Sequence, residues 1–274
     1  MGEPDDQPGR LLARASMFLI RVWILASTCV VGAGWVLSAC RELNYGGYAL
    51  VLGACLGAGL WWGHQELVGW LASLTVGWYR LRRRFRHVAP RAFLFLAGLA
   101  LITGVFYPPS SREESQYRTP RVLHWLAEGH WHWIHTFDIR MNIAGCGFEW
   151  LTAPLLLFTH TDRLIFLINF VSFLLLPGLV FSVLRRLGID RRVAWWWMWL
   201  IPAGCCYALQ AGNAANDAFI TVYALAAVGL AMRARACRSC SISRPCAPRL
   251  GHARAGLPVA RRSMVINVGR CLAH

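Results

Sequence analysis

The sequence contains no lysine, so all 28 basic residues are arginine. It is poor in charge altogether. Only 15% of residues are charged, against about 25% in an average soluble domain. It carries no GxxxxGK[ST] phosphate loop, no G-x-S-x-G elbow and no HExxH pair. These absences argue against a nucleotide-driven pump, a serine hydrolase and a zinc protease. Ten cysteines are present, yet their spacing implies no disulfide framework. Hydrophobic residues, in contrast, make up 57% of the 274, with a mean hydropathy of +0.43. They fall in long runs. That excludes a disordered, fibrous or small secreted class and leaves a polytopic membrane protein.

The net charge of +15 raises nucleic-acid binding as a class. The arginines, however, flank apolar runs, at 80–91, 185–192 and from 233 onward. In a membrane protein that pattern marks cytoplasmic loops, so no nucleic-acid partner is expected. The early acids Glu3, Asp5 and Asp6, with no small-residue cleavage site, make the first apolar run an uncleaved membrane helix. Cys29, Cys55, Cys205 and Cys206 lie in or beside apolar runs and read as small buried hydrophobes.

A bilayer core of about 30 Å takes about 20 helical residues to cross. Residues 16–39, 90–107, 164–184, 194–211 and 218–232 each read as a span. The stretch 48–79 reads either as one long span or as a span plus an interfacial helix, because His64, Gln65 and Glu66 interrupt it. Residues 150–159 are apolar but reach only about 15 Å as a helix. If they dip without crossing, every arginine cluster is cytoplasmic, and the loop around Glu113 shares the outer face with the turn at Asp217. The expected fold is all-α and polytopic, with five or six spans. Its regions are N-terminal spans (1–107), an outer loop of interfacial helices (108–149), further spans (150–232) and a basic tail (233–274). The tail holds nine arginines, no acid and no aromatic residue, and shows no periodicity that would bury a core.

Two constellations could carry chemistry. In the outer loop, Glu113 and Glu114 follow a span and precede Arg118 and Arg121. A carboxylate beside apolar walls can serve as a base, and arginines can hold a phosphate bidentately. The plainer alternative is a solvated loop with surface ion pairs. In the second, Asn216 and Asp217 open the last span. They suit a helix cap, and a carboxylate at a span's end is also a usual functional position. Histidines 124, 130, 132 and 135 are interleaved with tryptophans 125, 131 and 133, which suits an interfacial helix better than a metal. Cys237, Cys240, Cys246 and His252 mimic a zinc pattern but lack a second CxxC.

From Tyr107 to about Arg235 the chain resembles bacterial membrane glycosyltransferases of the GT-C superfamily, near glycosyltransferase family 39 and the protein mannosyltransferases. The carrying segments are 120–129, 140–142, 148–151, 161–164, 173–182, 208–212 and 216–219. The resemblance implies transfer of a sugar from a polyprenyl-phosphate donor to a lipid, glycan or protein acceptor, on the outer face of the cell (inner) membrane. It implies an acid in the first outer loop as acceptor base, with Glu113 the choice and Glu114 the alternate. It further implies Arg118, Arg121 and Arg140 as donor-phosphate contacts and Asp217 as a second acid. The cofactor is unknown, with a divalent metal left open, as is the oligomeric state.

Three departures stand out. Glu113 follows Arg112 where relatives have an aromatic residue and then aspartate. The extra methylene shifts the carboxylate by roughly 1.5 Å, and about 1 Å already costs on the order of a hundredfold in rate. Cys146 stands where relatives tend to have proline. The family pattern stops near Arg235, so the expectation is a C-terminally truncated chain. The competing class is a non-catalytic or degenerate polytopic membrane protein, such as a paralogue or scaffold. A transporter ranks last, because no internal repeat is convincing.

Overall fold

The computed structural model describes residues 7–107 and 113–243. The protein is all-α and polytopic, and no strand occurs among the described residues. Its helices are α1 (Gln7–Cys40), α2 (Tyr45–Arg84), α3 (Val88–Phe106), α4 (Thr119–Glu128), α5 (Arg140–Ile143), α6 (Gly147–Thr159), α7 (Phe166–Arg186), α8 (Arg191–Leu200), α9 (Cys205–Ala211) and α10 (Asp217–Ser243). A turn of π-helix, Glu114–Arg118, leads directly into α4. The chain divides into two compact units, 1–226 and 227–274. The contacts described below lie within the first. The second holds the rest of α10, and residues 244–274 lie outside the described ones.

Among the described residues, five helices are long and apolar enough to cross a membrane: Met17–Cys40, Tyr45–Leu71, Val88–Phe106, Phe166–Arg186 and Asp217–Arg235. The stretch 48–79 lies in one helix, because nothing in it breaks the backbone ladder. Its start is fixed by Asn44, whose Oδ1 accepts from the Gly47 N–H at 2.8 Å. The expected span at 194–211 is corrected. The chain there forms two short helices, α8 and α9, separated at 201–204 by a stretch containing Pro202 and Gly204. Proline cannot donate the N–H that a continuous helix needs. The broken pair still travels along α3. Trp195 meets His87, Trp199 meets Phe93, and the backbone at Gly212 lies against Ala100. Of the tryptophans in α8, Trp199 is buried while Trp196 and Trp197 are exposed.

Helix α6 does not traverse the bundle. Phe148, near its start, packs on Phe219 in the first turn of α10. Phe158, near its end, packs on Tyr45 at the start of α2. In between, Trp150 fills the space beside Gly34, where a Cβ would come within 2.6 Å of its ring. Helix α6 therefore lies across one end of the helices, here termed the loop end. Trp125 of α4 is buried there as well, stacked on Trp150 at 4.9 Å. The tryptophan expected at a lipid interface is thus a core residue.

Polar side chains stitch the spans together, as is usual where apolar burial between helices has no driving force in lipid. Trp23 Nε1 donates to Ser172 Oγ at 3.1 Å, and Ser27 Oγ lies 2.6 Å from the Tyr223 hydroxyl. Buried Asn169 of α7 joins two more elements. Its Nδ2 donates to the Gln210 carbonyl at 2.7 Å, and its Oδ1 accepts the Phe219 N–H at 3.3 Å. It thus caps α10 from a neighbouring helix and ties down the end of α9. Cys29, Cys205 and Cys206, expected as buried hydrophobes, instead lie on outward helix surfaces, and Cys55 is half-buried. A thiol is apolar enough to face either lipid or protein.

Candidate functional site

Consecutive helical residues point in different directions, so the short run from Glu113 to Arg121 sorts its charges by burial. Glu113 and Arg118 pair at 2.7 Å. The carboxylate is 59% exposed, while the guanidinium is 9% exposed. Arg118 is also held by Asn216 Oδ1, which accepts from Nη2 at 3.2 Å. Its guanidinium lies 5.7 Å from the centre of the Tyr117 ring and 5.6 Å from that of Phe148. An aromatic wall and two acceptors, the Asn216 amide oxygen and the Tyr117 hydroxyl, which accepts from Arg118 Nε at 3.3 Å, thus position one cation beside an open carboxylate.

Arg140 completes the cluster from α5. Its guanidinium lies 5.1 Å from the Tyr117 ring centre and receives support from Gln116 Oε1 at 3.1 Å. It is paired with Asp138 at 2.7 Å. The Arg140 hydrogen bond, more than any other cause, holds the Asp138 carboxyl below its usual range. Asn216 precedes α10, and its carbonyl accepts the Ile220 N–H at 2.9 Å, the position of a helix cap. Its side chain turns to Arg118 instead of capping. Asp217 follows as an exposed residue in the first turn, where a carboxylate is favoured by the helix dipole.

Glu114 and Arg121 face the other way. Glu114 is buried and accepts from the Thr119 hydroxyl at 2.5 Å. Burial pushes its carboxyl up, against the pull of Thr119 and Arg118. Arg121 is fully buried and forms an ion pair with buried Glu149 of α6. It also donates to the carbonyls of Ala144 at 2.8 Å and Gly145 at 3.2 Å. Burial pushes the Glu149 carboxyl up as well, with Arg121 pulling the other way. A phosphate could reach this guanidinium only by displacing Glu149 and opening the core. As a phosphate contact, Arg121 is therefore corrected to a structural cation.

Comparison with protein-family models, with curated proteins and with solved structures finds no match for this chain. The site therefore rests on its own geometry. Of the residues singled out from sequence, Glu113, Arg118 and Arg140 come together around Tyr117, with Asp217 one residue beyond Asn216. Sequence reasoning passed over Tyr117, Glu149 and Asn169. The available signal for Asn169 was an amide inside an apolar run, which is costly in a span unless it has partners. As the side chains stand, no group of three or more His, Cys, Asp or Glu is arranged to hold a metal among the described residues. Arg112, Cys246 and His252 lie outside the described residues, and the side chains of Cys237 and Cys240 are not described.

Proposed function

We propose that this multi-pass membrane protein transfers a sugar from a polyprenyl-phosphate donor to a hydroxyl-bearing lipid, glycan or protein acceptor at the outer face of the cell membrane. The observation that carries the reading is the open Glu113–Arg118 pair, beside Arg140 on the Tyr117 ring. It puts a water-facing carboxylate next to two cations at the end of an apolar bundle. Such a place suits a substrate with a charged head and a greasy tail.

In this scheme Glu113 takes the proton of the acceptor hydroxyl as its oxygen forms a bond to the anomeric carbon. The bond from that carbon to the phosphate oxygen breaks on the opposite side, inverting the centre. The leaving phosphate takes the electron pair, and Arg118 and Arg140 hold its charge. Fixed cations at developing charge need no reorganisation during the reaction. Asp217 stands as a second acid beside the start of α10. Glu114, turned inward, serves the scheme less well than Glu113.

Membranes carrying the protein, supplied with polyprenyl-phosphate sugars, test the scheme. E113Q lowers transfer by about 10²–10⁴-fold at unchanged expression, the usual worth of a general base. Unaltered transfer in that variant removes Glu113 from the mechanism. The second reading is a non-catalytic scaffold, favoured by the Arg118–Asn216 hydrogen bond, which clamps the loop to α10. It expects no transfer activity and no dependence on Glu113.

A further inference from the structure

Ser172, Leu176, Leu179 and Val183 are buried at three- and four-residue spacing, the face that α7 turns to its neighbours. The next position on that stripe is Arg186, in the last turn of α7. Helix α7 starts with Phe166 against Gly104, near the end of α3 that leads to the outer loop. Arg186 therefore stands at the opposite end of the bundle. It is half-buried, and its Nε donates at 3.5 Å to Ser182 Oγ, a long hydrogen bond. Among the described residues, no carboxylate pairs with it. A half-buried cation without a counter-ion is costly unless an anion reaches it.

The chain turns sharply there. Gly188 has a φ of 83°, the left-handed conformation that glycine adopts without strain. The Ile189 N–H returns to the Leu184 carbonyl at 3.1 Å. The start of α8 is thereby held beside the end of α7. Arg185 is engaged by the Ile189 carbonyl, which accepts from its Nη1 at 2.8 Å. The nearest acid in sequence, Asp190, caps α8 by accepting the Arg192 N–H at 2.8 Å. The Arg192 side chain is exposed. Beyond it, α8 turns Val193, Trp196, Trp197 and Leu200 outward, at i, i+3, i+4 and i+7. Ala194 and Met198, on its other side, are buried. A cationic end and an apolar stripe thus run in line along one short helix, with tryptophans suited to the headgroup level.

We propose that the end of α7 and the start of α8 bind an anionic diacyl phospholipid of the leaflet at this end of the bundle. Arg186 holds the headgroup phosphate, whose paired oxygens match the guanidinium fork. Arg192 adds charge at the rim, and an acyl chain lies along Trp196 and Leu200. Basic sites between spans take anionic headgroups in this way. The apolar stripe selects a lipid over a soluble phosphate, which would meet only the arginines. The site does not rest on the transfer reading, and its test does not use activity.

The full chain, purified in detergent and freed of bound lipid, is titrated with dioleoyl phosphatidylglycerol, and bound lipid is counted by native mass spectrometry. Dioleoyl phosphatidylcholine, whose headgroup carries its own cation, and inorganic phosphate serve as comparisons. Each arginine at an anionic headgroup is worth about fivefold in affinity. The wild type is expected to bind the first phosphatidylglycerol more tightly than phosphatidylcholine by at least that factor. R186Q and R192Q are each expected to lose about fivefold of the preference. R163Q, the same charge change at an exposed arginine of the loop end, keeps it. W196A is expected to weaken both lipids alike, and inorganic phosphate does not displace them. If R186Q fails to fold, R192Q carries the test. Equal binding of the two lipids by the wild type overturns the site. So does a preference unchanged in every folded variant. Displacement by inorganic phosphate at the lipid's own concentration overturns it as well, assigning the arginines to a soluble anion.

Discussion

Arg118 and Arg121 are three residues apart, yet they carry two different kinds of ion pair. Arg118 faces an open carboxylate, Glu113, from the same loop. Arg121 faces a buried carboxylate, Glu149, from another helix, and roofs the pair with three backbone carbonyls and the Trp125 ring. The residue types are the same. The dielectric around them is not, and that decides what each can do. A buried pair holds position, because separating it leaves a charge without water. An open pair exchanges partners with solvent and ligands at little cost.

The largest expected effect breaks the buried pair. R121A leaves Glu149 uncompensated and should cost about 3–5 kcal/mol of stability. Thermal unfolding in detergent reads it. The double change R121M/E149L, which removes both charges, should recover most of the loss. A double variant as unstable as R121A would mean that the carbonyl bonds, not the charge pair, carry the stabilisation.

Next comes the roof. G34A pushes a methyl into the Trp150 ring, which stacks on Trp125 above Arg121. Overpacking of this kind costs about 1–3 kcal/mol, and near-ultraviolet circular dichroism should show the disturbed tryptophan pair. An unchanged melting temperature would mean that α1 and α6 are not packed as described.

A smaller effect comes from Glu114, between the two pairs. Its carboxyl is raised by burial, so the folded chain binds its proton more tightly than the unfolded one. Stability from this group therefore falls as pH rises from the usual carboxylate range through the raised value. E114Q should flatten the melting temperature in that window. The smallest effect belongs to the open pair. E113Q should change stability by less than about 1 kcal/mol, as exposed pairs do, while removing transfer. A large loss of stability in E113Q would make that pair structural too and erase the contrast.

Much of the architecture is legible in the sequence because a span needs only length and apolar content. Four of the five expected uninterrupted spans match long helices nearly end to end. The fifth, 194–211, has the same composition but contains Pro202 and Gly204, and composition does not see a broken hydrogen-bond ladder. The candidate site was legible in part. Glu113 and Arg118 lie close in one loop, where a surface ion pair is the plainer alternative to a base and a phosphate contact, and the structure does pair them. Arg121 and Glu149 are 28 positions apart, and only packing of α6 against α4 brings them together. The clamp by Asn169 depends likewise on a neighbouring helix. Long-range pairing is what a single sequence hides.

The central claim is that the Glu113–Arg118 pair opens to water on the same side of the membrane as Asp217. Single cysteines at positions 113 and 217, in an otherwise cysteine-free chain, can be labelled in intact cells with a membrane-impermeant thiol reagent. The account predicts labelling at both positions. Labelling at 113 alone would place the start of α10 on the other side, separate Asn216 from Arg118, and contradict it.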